Sequence, residues 1–298
     1  MVSPSDASEA SVVLTVSSNK GGVGKTTVAT NLAIYLRALR EDIPVLLVGL
    51  DDQRTLDRMF ELGEPGPGQP NLKHGWAERT LSEVTQLGQY GVHYVPSPPD
   101  LTVLKARAED PKTLARILDR TEWPGIVILD TKSDLEALTQ NAYHASDRIL
   151  IPVSDRASLE EAAKIFAILD KAGLPRDMAR VLFTLVDRRT KLADGERHLF
   201  RRLLAEAQDR DWPYYKTYLS RSPRVESLNS GTGAPLSILH HGKGTAVHDQ
   251  LRSLALEVLQ DLDLSERHPA LVESGPDELW GRPAESPERG EGRWFRRG

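Results

Sequence analysis

The sequence predicts an α/β protein with a doubly wound, mostly parallel sheet and helices on both faces. Continuous apolar segments of the kind found in fully buried strands recur along the chain and alternate with segments of helical periodicity. Neighbouring parallel strands must be joined by crossover connections, and the helices in these connections cover the two faces of the sheet. The predicted strands are Val12–Val16, Val45–Val48, Val92–Val95, Ile126–Leu129, Ile149–Val153 and Val181–Val186.

A glycine-rich turn joins the first predicted strand to the first predicted helix. Residues 19–27 are Asn-Lys-Gly-Gly-Val-Gly-Lys-Thr-Thr, and apolar residues then recur along one helical face. Glycines at a strand-to-helix turn let backbone N–H groups converge on an anion, and the helix dipole favours negative charge there. Ligands of such sheets bind at the carboxyl ends of the strands. The turn therefore predicts a phosphate-binding cradle.

The side chains of this turn indicate a nucleoside triphosphate. In P-loop chemistry Lys25 reaches the β- and γ-phosphates, and the Thr26 hydroxyl binds Mg²⁺. Lys20 is an additional lysine, placed just before the glycines. The predicted nucleotide-binding residues are Lys20, Gly21, Gly22, Val23, Gly24, Lys25, Thr26 and Thr27.

Two aspartates follow predicted strands and are the candidate partners of the cradle. Asp130 comes directly after four apolar residues, which is a Walker B pattern, and it is predicted to hold Mg²⁺ partly through water. Asp51 follows the second predicted strand after Gly49 and Leu50. Asp51 is either a residue of the hydrolytic site or the N-cap of the next helix, and the two roles are compatible.

The complete motif resembles the deviant Walker A sequence of the ParA/MinD family of dimeric ATPases, and most closely that of ParA (Soj-like) partitioning ATPases. The resemblance covers about residues 11–262 and extends to Leu135–Val153 and Leu219–Arg224. It implies a P-loop NTPase fold and slow, partner-stimulated ATP hydrolysis with ATP and Mg²⁺ as cofactors. The implied catalytic residues are Lys20, Lys25 and Asp51, with Lys20 reaching the nucleotide of the partner subunit in an ATP-dependent homodimer.

The chain departs from the family pattern at several positions near the cradle. Gly49 stands where the family usually has the first aspartate of Asp-x-Asp-Pro-Gln, and Asp52 stands where it has proline. The segment after Asp130 lacks two prolines and contains Lys132, which could assist catalysis, contact DNA or face water. These departures keep open a weakly hydrolysing nucleotide switch that recruits partners.

A basic segment indicates a polyanion partner or a solvated surface. Residues 176–224 contain twelve Lys and Arg against seven Asp and Glu, although the whole chain has a net charge of −5. The family resemblance implies non-specific DNA binding and assigns it to Arg221 and Arg224 by motif. Arg197 and Arg201 are added from local charge alone, because they share a helical face.

The two ends of the chain lie outside the predicted domain. We expect a disordered N-terminus at residues 1–10, a ParA-like ATPase domain at 11–264 and a disordered Pro/Gly-rich tail at 265–298. Residues 1–10 lack the pattern of a secretory signal, and the chain has no cysteine, so we expect a cytoplasmic protein. Residues 63–75 are rich in proline and glycine and predict a surface loop.

The leading functional hypothesis is a nucleoid-associated ATPase that segregates or positions a DNA or protein cargo with a ParB-like adaptor. The alternative is a MinD-like positioning ATPase on the membrane. MinD-type proteins end in a membrane-targeting helix, whereas Gly290 and Gly292 disfavour a helix in the tail of this chain, so a membrane is not an expected partner.

Overall fold

The computed structural model describes residues 11–51, 55–62, 68–187, 193–230 and 234–264, without the side chains of residues 193–198 and Ser230. Residues 1–10 and 265–298, for which disorder is predicted, lie outside these described residues. Asp52, which departs from the family pattern, also lies outside them. None of the helices in the described parts of the chain is long and apolar enough to cross a membrane.

The predicted α/β fold class is confirmed. In the described residues the sheet has the strand order β3-β4-β2-β5-β1-β6-β7, and all neighbours are parallel except the antiparallel pair β3–β4. The short edge strand β3 was not predicted. The strands are β1 Val12–Val16, β2 Val45–Leu50, β3 Gln86–Leu87, β4 His93–Val95, β5 Ile126–Thr131, β6 Arg148–Val153 and β7 Ala179–Phe183.

Helices cover both faces of this sheet. In chain order they are α1 Lys25–Leu39, α2 Thr55–Phe60, α3 Leu72–Glu78, α4 Thr102–Arg107, α5 Thr113–Thr121, α6 Ala137–His144, α7 Arg156–Ala172, α8 Ala193–Asp209, α9 Pro223–Ser230, α10 Ile238–His241 and α11 Ala246–Asp261.

Side chains alternate between two cores along each strand, because successive residues of a strand point to opposite faces. On β1, Leu14 and Val16 pack with α1 and α11, whereas Val13 packs with α3 to α6 on the other face. On β6, Ile149 and Ile151 join a third core with α7 and α8. The sheet is thus buried on both faces, as its continuous apolar strands predict.

Two predicted segments differ from the structure. The predicted strand Val181–Val186 ends at Phe183, because Leu185 adopts a left-handed conformation (φ 55°) that an extended strand does not allow. The predicted loop at residues 63–75 is helical from Leu72 onward. The Asn71 side chain caps α3, and a Cβ on Gly75 would lie 2.9 Å from the Thr80 carbonyl oxygen, so glycine permits the close approach of the next turn.

The largely buried carboxylate of Asp261 connects helix α11 to strands β6 and β7 through ion pairs. Asp261 of α11 contacts Arg180 Nη2 at 2.6 Å and Arg148 Nε at 3.2 Å, and its side chain is only 8% exposed. Burial opposes ionisation of Asp261, but the hydrogen bonds and charges of the two arginines outweigh it and lower its pKa.

We expect Asp261→Asn to lower the free energy of unfolding by about 2 kcal/mol at pH 7, because it leaves two partly buried arginines without their counter-charge. The pKa of Asp261 is lower in the folded than in the unfolded state. The stability that its ionised carboxylate contributes is therefore present above the unfolded-state pKa and is lost as pH falls through the folded-state pKa. Urea denaturation at pH 7 and below pH 4 measures both effects. Asp170→Asn, which breaks an exposed ion pair with Arg176, is the control and should lower the free energy of unfolding much less than Asp261→Asn does. Equal losses for the two variants would contradict the assignment.

Candidate functional site

The candidate site lies at the carboxyl edge of β2, β5, β1 and β6, which are neighbours in the sheet. The strand register pairs Asp130 with Val16 on one side and with Gly49 on the other. The glycine-rich turn that follows β1 therefore lies beside the ends of β5 and β2. The structure brings the predicted cradle, Asp51 and Asp130 together at this edge.

The backbone of the cradle has the conformation that its glycines permit. Gly22 (φ 77°) and Gly24 (φ 92°) are in the left-handed region, which side-chain-bearing residues rarely adopt. Gly24 is the N-cap of α1, and its carbonyl oxygen accepts the first helical hydrogen bond from Val28 N at 2.8 Å. The buried Thr184 hydroxyl, just after β7, donates to the Val23 carbonyl oxygen at 2.8 Å. The turn is thus anchored on both sides, with the N-terminus of a fifteen-residue helix facing the cradle.

Lys25 extends across this cradle. Its ammonium group donates to the Lys20 carbonyl oxygen at 3.0 Å and to Ser133 Oγ at 2.5 Å. Burial lowers the pKa of the Lys25 ammonium, while the nearby Asp130 and Asp51 carboxylates oppose this shift. Lys25 therefore lies between the backbone of the glycine-rich turn and the loop that follows β5, where it can contact a phosphate.

Asp130 and Thr26 form a set of oxygen donors suited to Mg²⁺. Asp130 is 2% exposed, and its Oδ1 atom is buried with no hydrogen-bond partner in the described part of the chain. Burial raises the pKa of Asp130 to about 7, against the opposing hydrogen bond from Thr26 and the charge of Lys25. A buried carboxylate oxygen without a partner beside a threonine hydroxyl is what a hard divalent cation would satisfy. The residues present therefore fit the predicted metal.

Asp51 lies at the same place but is only partly buried. It lines a small cavity with Thr26, Gly49, Ser97 and Asp130, and this cavity of about 10 Å³ has room for one water molecule. Its carboxylate contributes to the pKa shifts of both Lys25 and Asp130. This position is compatible with the predicted role of Asp51 in placing a water molecule, and that role remains a prediction.

Lys20 lies beside the cradle rather than across it. Its ammonium group pairs with Asp155 Oδ2 at 2.5 Å, and its side chain is 33% exposed. Asp155 is the N-cap of α7 and accepts a hydrogen bond from Ser158 N. Although burial opposes it, the hydrogen bonds from Lys20 and Ser158 lower the pKa of Asp155 and keep this carboxylate charged. In the single chain, Lys20 is therefore held at the end of β6 by its own α7.

Three residues of this site, Ser97, Ser133 and Asp155, were not predicted from the sequence. The Asp155-x-x-Ser158 spacing is a capping box and marks the start of α7, but it does not show that Lys20 pairs with the cap. Ser97 and Ser133 lie in loops without a motif of their own.

A larger cavity of about 420 Å³ adjoins the glycine-rich turn. The cradle residues Gly22, Gly24 and Thr27 form one side of it. The rest of the lining includes the apolar side chains of Leu185, Leu219, Val225 and Val247. The polar lining residues beyond the cradle are Thr184, Ser220, Arg221, Glu226 and Asn229. A cavity of this size with apolar walls suits a small organic group attached to the phosphates.

The predicted DNA-binding arginines have different local contacts in the described residues. Arg221 lines the cavity next to the cradle and lies 3.9 Å from Glu226. Arg224 on α9 donates a hydrogen bond to the backbone carbonyl oxygen of Lys243 at 3.2 Å. Arg201 is exposed on α8, and the side chain of Arg197 lies outside the described residues.

Ion pairs reduce the charge of the basic segment. Arg176, Arg180 and Arg210 pair with Asp170, Asp261 and Glu206. The positive charge counted along residues 176–224 is thus partly neutralised by carboxylates, two of which lie outside that segment. Arg201, Arg202, Lys216 and Arg224 are further exposed cations in the described part of this segment, and Lys243 is an exposed cation after it.

Comparisons with known proteins identify the family of this chain. A family profile described as an AAA domain matches residues 11–173, which is more than half of the chain. The chain is 32% identical to the chromosome-partitioning ATPase Soj of Thermus thermophilus over 251 residues, covering 83% of this chain and 94% of that protein. It is 29% identical to the maintenance of carboxysome distribution protein A of Gloeobacter kilaueensis over 218 residues, covering 67% of this chain and 95% of that protein.

Solved structures show the same fold at lower sequence identity. The septum site-determining protein MinD of Pyrococcus horikoshii, complexed with Mg-ADP, superposes with a TM-score of 0.67 at 21% identity. The match covers 87% of this chain and all of that one. The comparison supports the fold, and the bound Mg-ADP is a property of the Pyrococcus protein.

Proposed function

The chain belongs to the ParA/MinD family of P-loop ATPases, and we propose on this premise that it is a ParA-like ATPase that dimerises with ATP. In this proposal the ATP dimer binds DNA non-specifically and positions a DNA or protein cargo with a ParB-like adaptor. Localisation on the nucleoid in the cytoplasm follows from such DNA binding. Two relatives named for chromosome partitioning and for carboxysome distribution support both kinds of cargo.

The shape of the site suits a nucleotide whose phosphates would bind to the glycine-rich turn, where the helix N-terminus and Lys25 would offset their charge. The adjoining cavity of about 420 Å³, lined by Leu185, Leu219 and Val225, would hold the adenosine. Thr26 and Asp130 would hold the Mg²⁺ ion, which would supply positive charge for the phosphates. This chain's own contribution to hydrolysis is to hold the triphosphate with Lys25 and to position water with Asp51.

The observation that carries the dimer proposal is the position of Lys20. Lys25 already spans the cradle, while the Lys20 ammonium group is directed to Asp155 and is one-third exposed. A second lysine beside the phosphate site, and not inside it, can reach the nucleotide of a facing subunit. In that position its charge would stabilise the transferred phosphoryl group, as an arginine finger does.

A second candidate function is a nucleotide switch that hydrolyses weakly and recruits partners. The glycine at position 49 favours it, since this position carries no carboxylate next to Asp130. Measured turnover with and without DNA and adaptor separates the two functions. The MinD-like alternative depends on the tail at 293–297, which lies outside the described residues. Pelleting with anionic liposomes in ATP and in ADP tests it.

We expect DNA binding that requires ATP, falls steeply with salt and is indifferent to base sequence, because phosphate contacts by cations produce it. A dimer presents the cations twice and gains affinity by two-site attachment. Arg224→Ala should weaken binding and lower the log–log salt slope by roughly 1 for each phosphate that the arginine contacts. Fluorescence anisotropy with two unrelated duplexes measures this.

Arg176→Ala is the matched control, because this exposed arginine of the same segment is already paired with Asp170. It should leave DNA binding unchanged. The Arg221→Ala variant must be compared at saturating ATP, because Arg221 lines the proposed adenosine cavity. Absence of DNA affinity in the unmodified ATP-bound protein at modest salt would reject the ParA-like function in favour of the switch.

A further inference from the structure

Ser97 reaches the small cavity at the metal site from the loop that follows β4. Its hydroxyl lines this cavity together with Thr26, Asp51 and Asp130. Ser97 is 4% exposed although it belongs to a loop. Its position therefore depends on specific contacts, and these come from α2.

A buried carboxylate on α2 holds Ser97 in place. Asp57 is fully buried, and its two oxygens accept hydrogen bonds from Ser97 N at 3.1 and 3.0 Å. The Ser97 hydroxyl donates to Asp57 Oδ1 at 3.0 Å. The backbone N–H of Ser97 thus makes a bifurcated hydrogen bond to both oxygens of one buried carboxylate, and the hydroxyl makes a second bond to it, so both the backbone and the side chain of Ser97 are fixed.

These hydrogen bonds determine what the hydroxyl offers to the cavity. A serine hydroxyl has one proton to donate and two lone pairs that accept. Because the proton is used toward Asp57, the oxygen presents acceptor capacity to the cavity. The negative charge of Asp57 polarises the O–H bond and makes this oxygen a stronger acceptor.

The Ser97 hydroxyl occupies the space that a side chain at position 49 would enter. A Cβ atom on Gly49 would lie 3.3 Å from Ser97 Oγ and 3.4 Å from Leu56 Cδ1. Gly49 is also the register partner of Asp130 across β2 and β5. The usual family aspartate is therefore replaced at this place by a hydroxyl backed by a buried carboxylate.

We propose that Ser97, positioned by Asp57, accepts a hydrogen bond from a water molecule of the Mg²⁺ shell and so replaces the missing carboxylate of position 49. The cavity has room for about one such water, and the predicted metal ligands Thr26 and Asp130 line the same cavity. This inference rests on the proposed function, because it concerns the metal that accompanies the nucleotide. Ser97 is a positioning residue that touches the metal only through water.

The direct test is to measure by calorimetry how tightly the ADP complex of Ser97→Ala binds Mg²⁺. A second readout uses Mn²⁺ in place of Mg²⁺ and follows its binding by electron paramagnetic resonance. Loss of one charge-assisted hydrogen bond to the water predicts a dissociation constant for the metal that is about tenfold higher. The affinity for ADP without metal should stay unchanged. Ser146→Ala removes a part-buried hydroxyl at the opposite edge of the sheet, and it should change neither affinity.

A double-mutant cycle tests the part played by Asp57. We expect Asp57→Asn to weaken metal binding in the unmodified chain but to add no further loss in the Ser97→Ala background. Unchanged metal affinity in Ser97→Ala, an equal loss of metal-free ADP affinity, or additive effects of the two changes would each overturn the inference. Failure of the unmodified protein to bind ADP with Mg²⁺ is a different result, because it rejects the proposed nucleotide site itself.

Discussion

Lys25→Ala is expected to weaken ATP binding about 100-fold. Lys25 is the cation that spans the cradle, and its ammonium group already lies within hydrogen-bonding distance of the glycine-rich turn and of Ser133 Oγ. Truncating one partner of a buried charged contact costs about 3 kcal/mol, which corresponds to about 100-fold in affinity. Isothermal titration calorimetry with ATP and Mg²⁺ measures the effect.

The control for this change is Lys73→Ala, which removes an exposed lysine on α3. It should leave ATP affinity unchanged. A Lys25→Ala variant that binds ATP as tightly as the unmodified chain would show that the phosphates do not lie on the glycine-rich turn.

Lys20→Ala is expected to keep ATP binding and to weaken dimerisation. The contact from Lys25 to residue 20 uses the backbone carbonyl oxygen, which alanine retains. The broken ion pair leaves Asp155 with its hydrogen bonds from Ser158, and its side chain is 42% exposed, so little stability is lost. Across the interface, however, a charged contact with a buried triphosphate disappears, and we expect the dimer to weaken about 100-fold.

Sedimentation velocity in ATP over a range of protein concentrations measures this loss. The matched control is Arg116→Ala, which removes an exposed, paired cation on α5. A Lys20→Ala variant that dimerises as strongly as the unmodified chain would show that Lys20 does not act across the interface.

The cradle could be predicted from the sequence because its residues are contiguous. The glycines, Lys25 and Thr26 follow one strand and begin one helix, so their mutual geometry is local. Asp130 was predictable for a similar reason, since four apolar residues before it define a buried strand.

The remaining contacts of the site join residues that are distant along the chain. Lys20 and Asp155 are 135 residues apart, and Asp57 and Ser97 are 40 apart. No local pattern specifies that these pairs meet, because the sheet order alone brings their loops to one edge. The charge of the basic segment could not be predicted for the same reason. Counting its Lys and Arg residues did not reveal that Arg180 forms an ion pair with Asp261 of α11.

The central claim is that ATP closes two copies of this chain around their nucleotides. The most direct measurement is the molecular mass of the unmodified protein by sedimentation equilibrium, with Mg²⁺ and either a non-hydrolysable ATP analogue or ADP. We predict about twice the 33.0 kDa of the chain with the analogue and the single-chain mass with ADP. A single-chain mass under both conditions, or a dimer that forms equally with ADP, would contradict the claim.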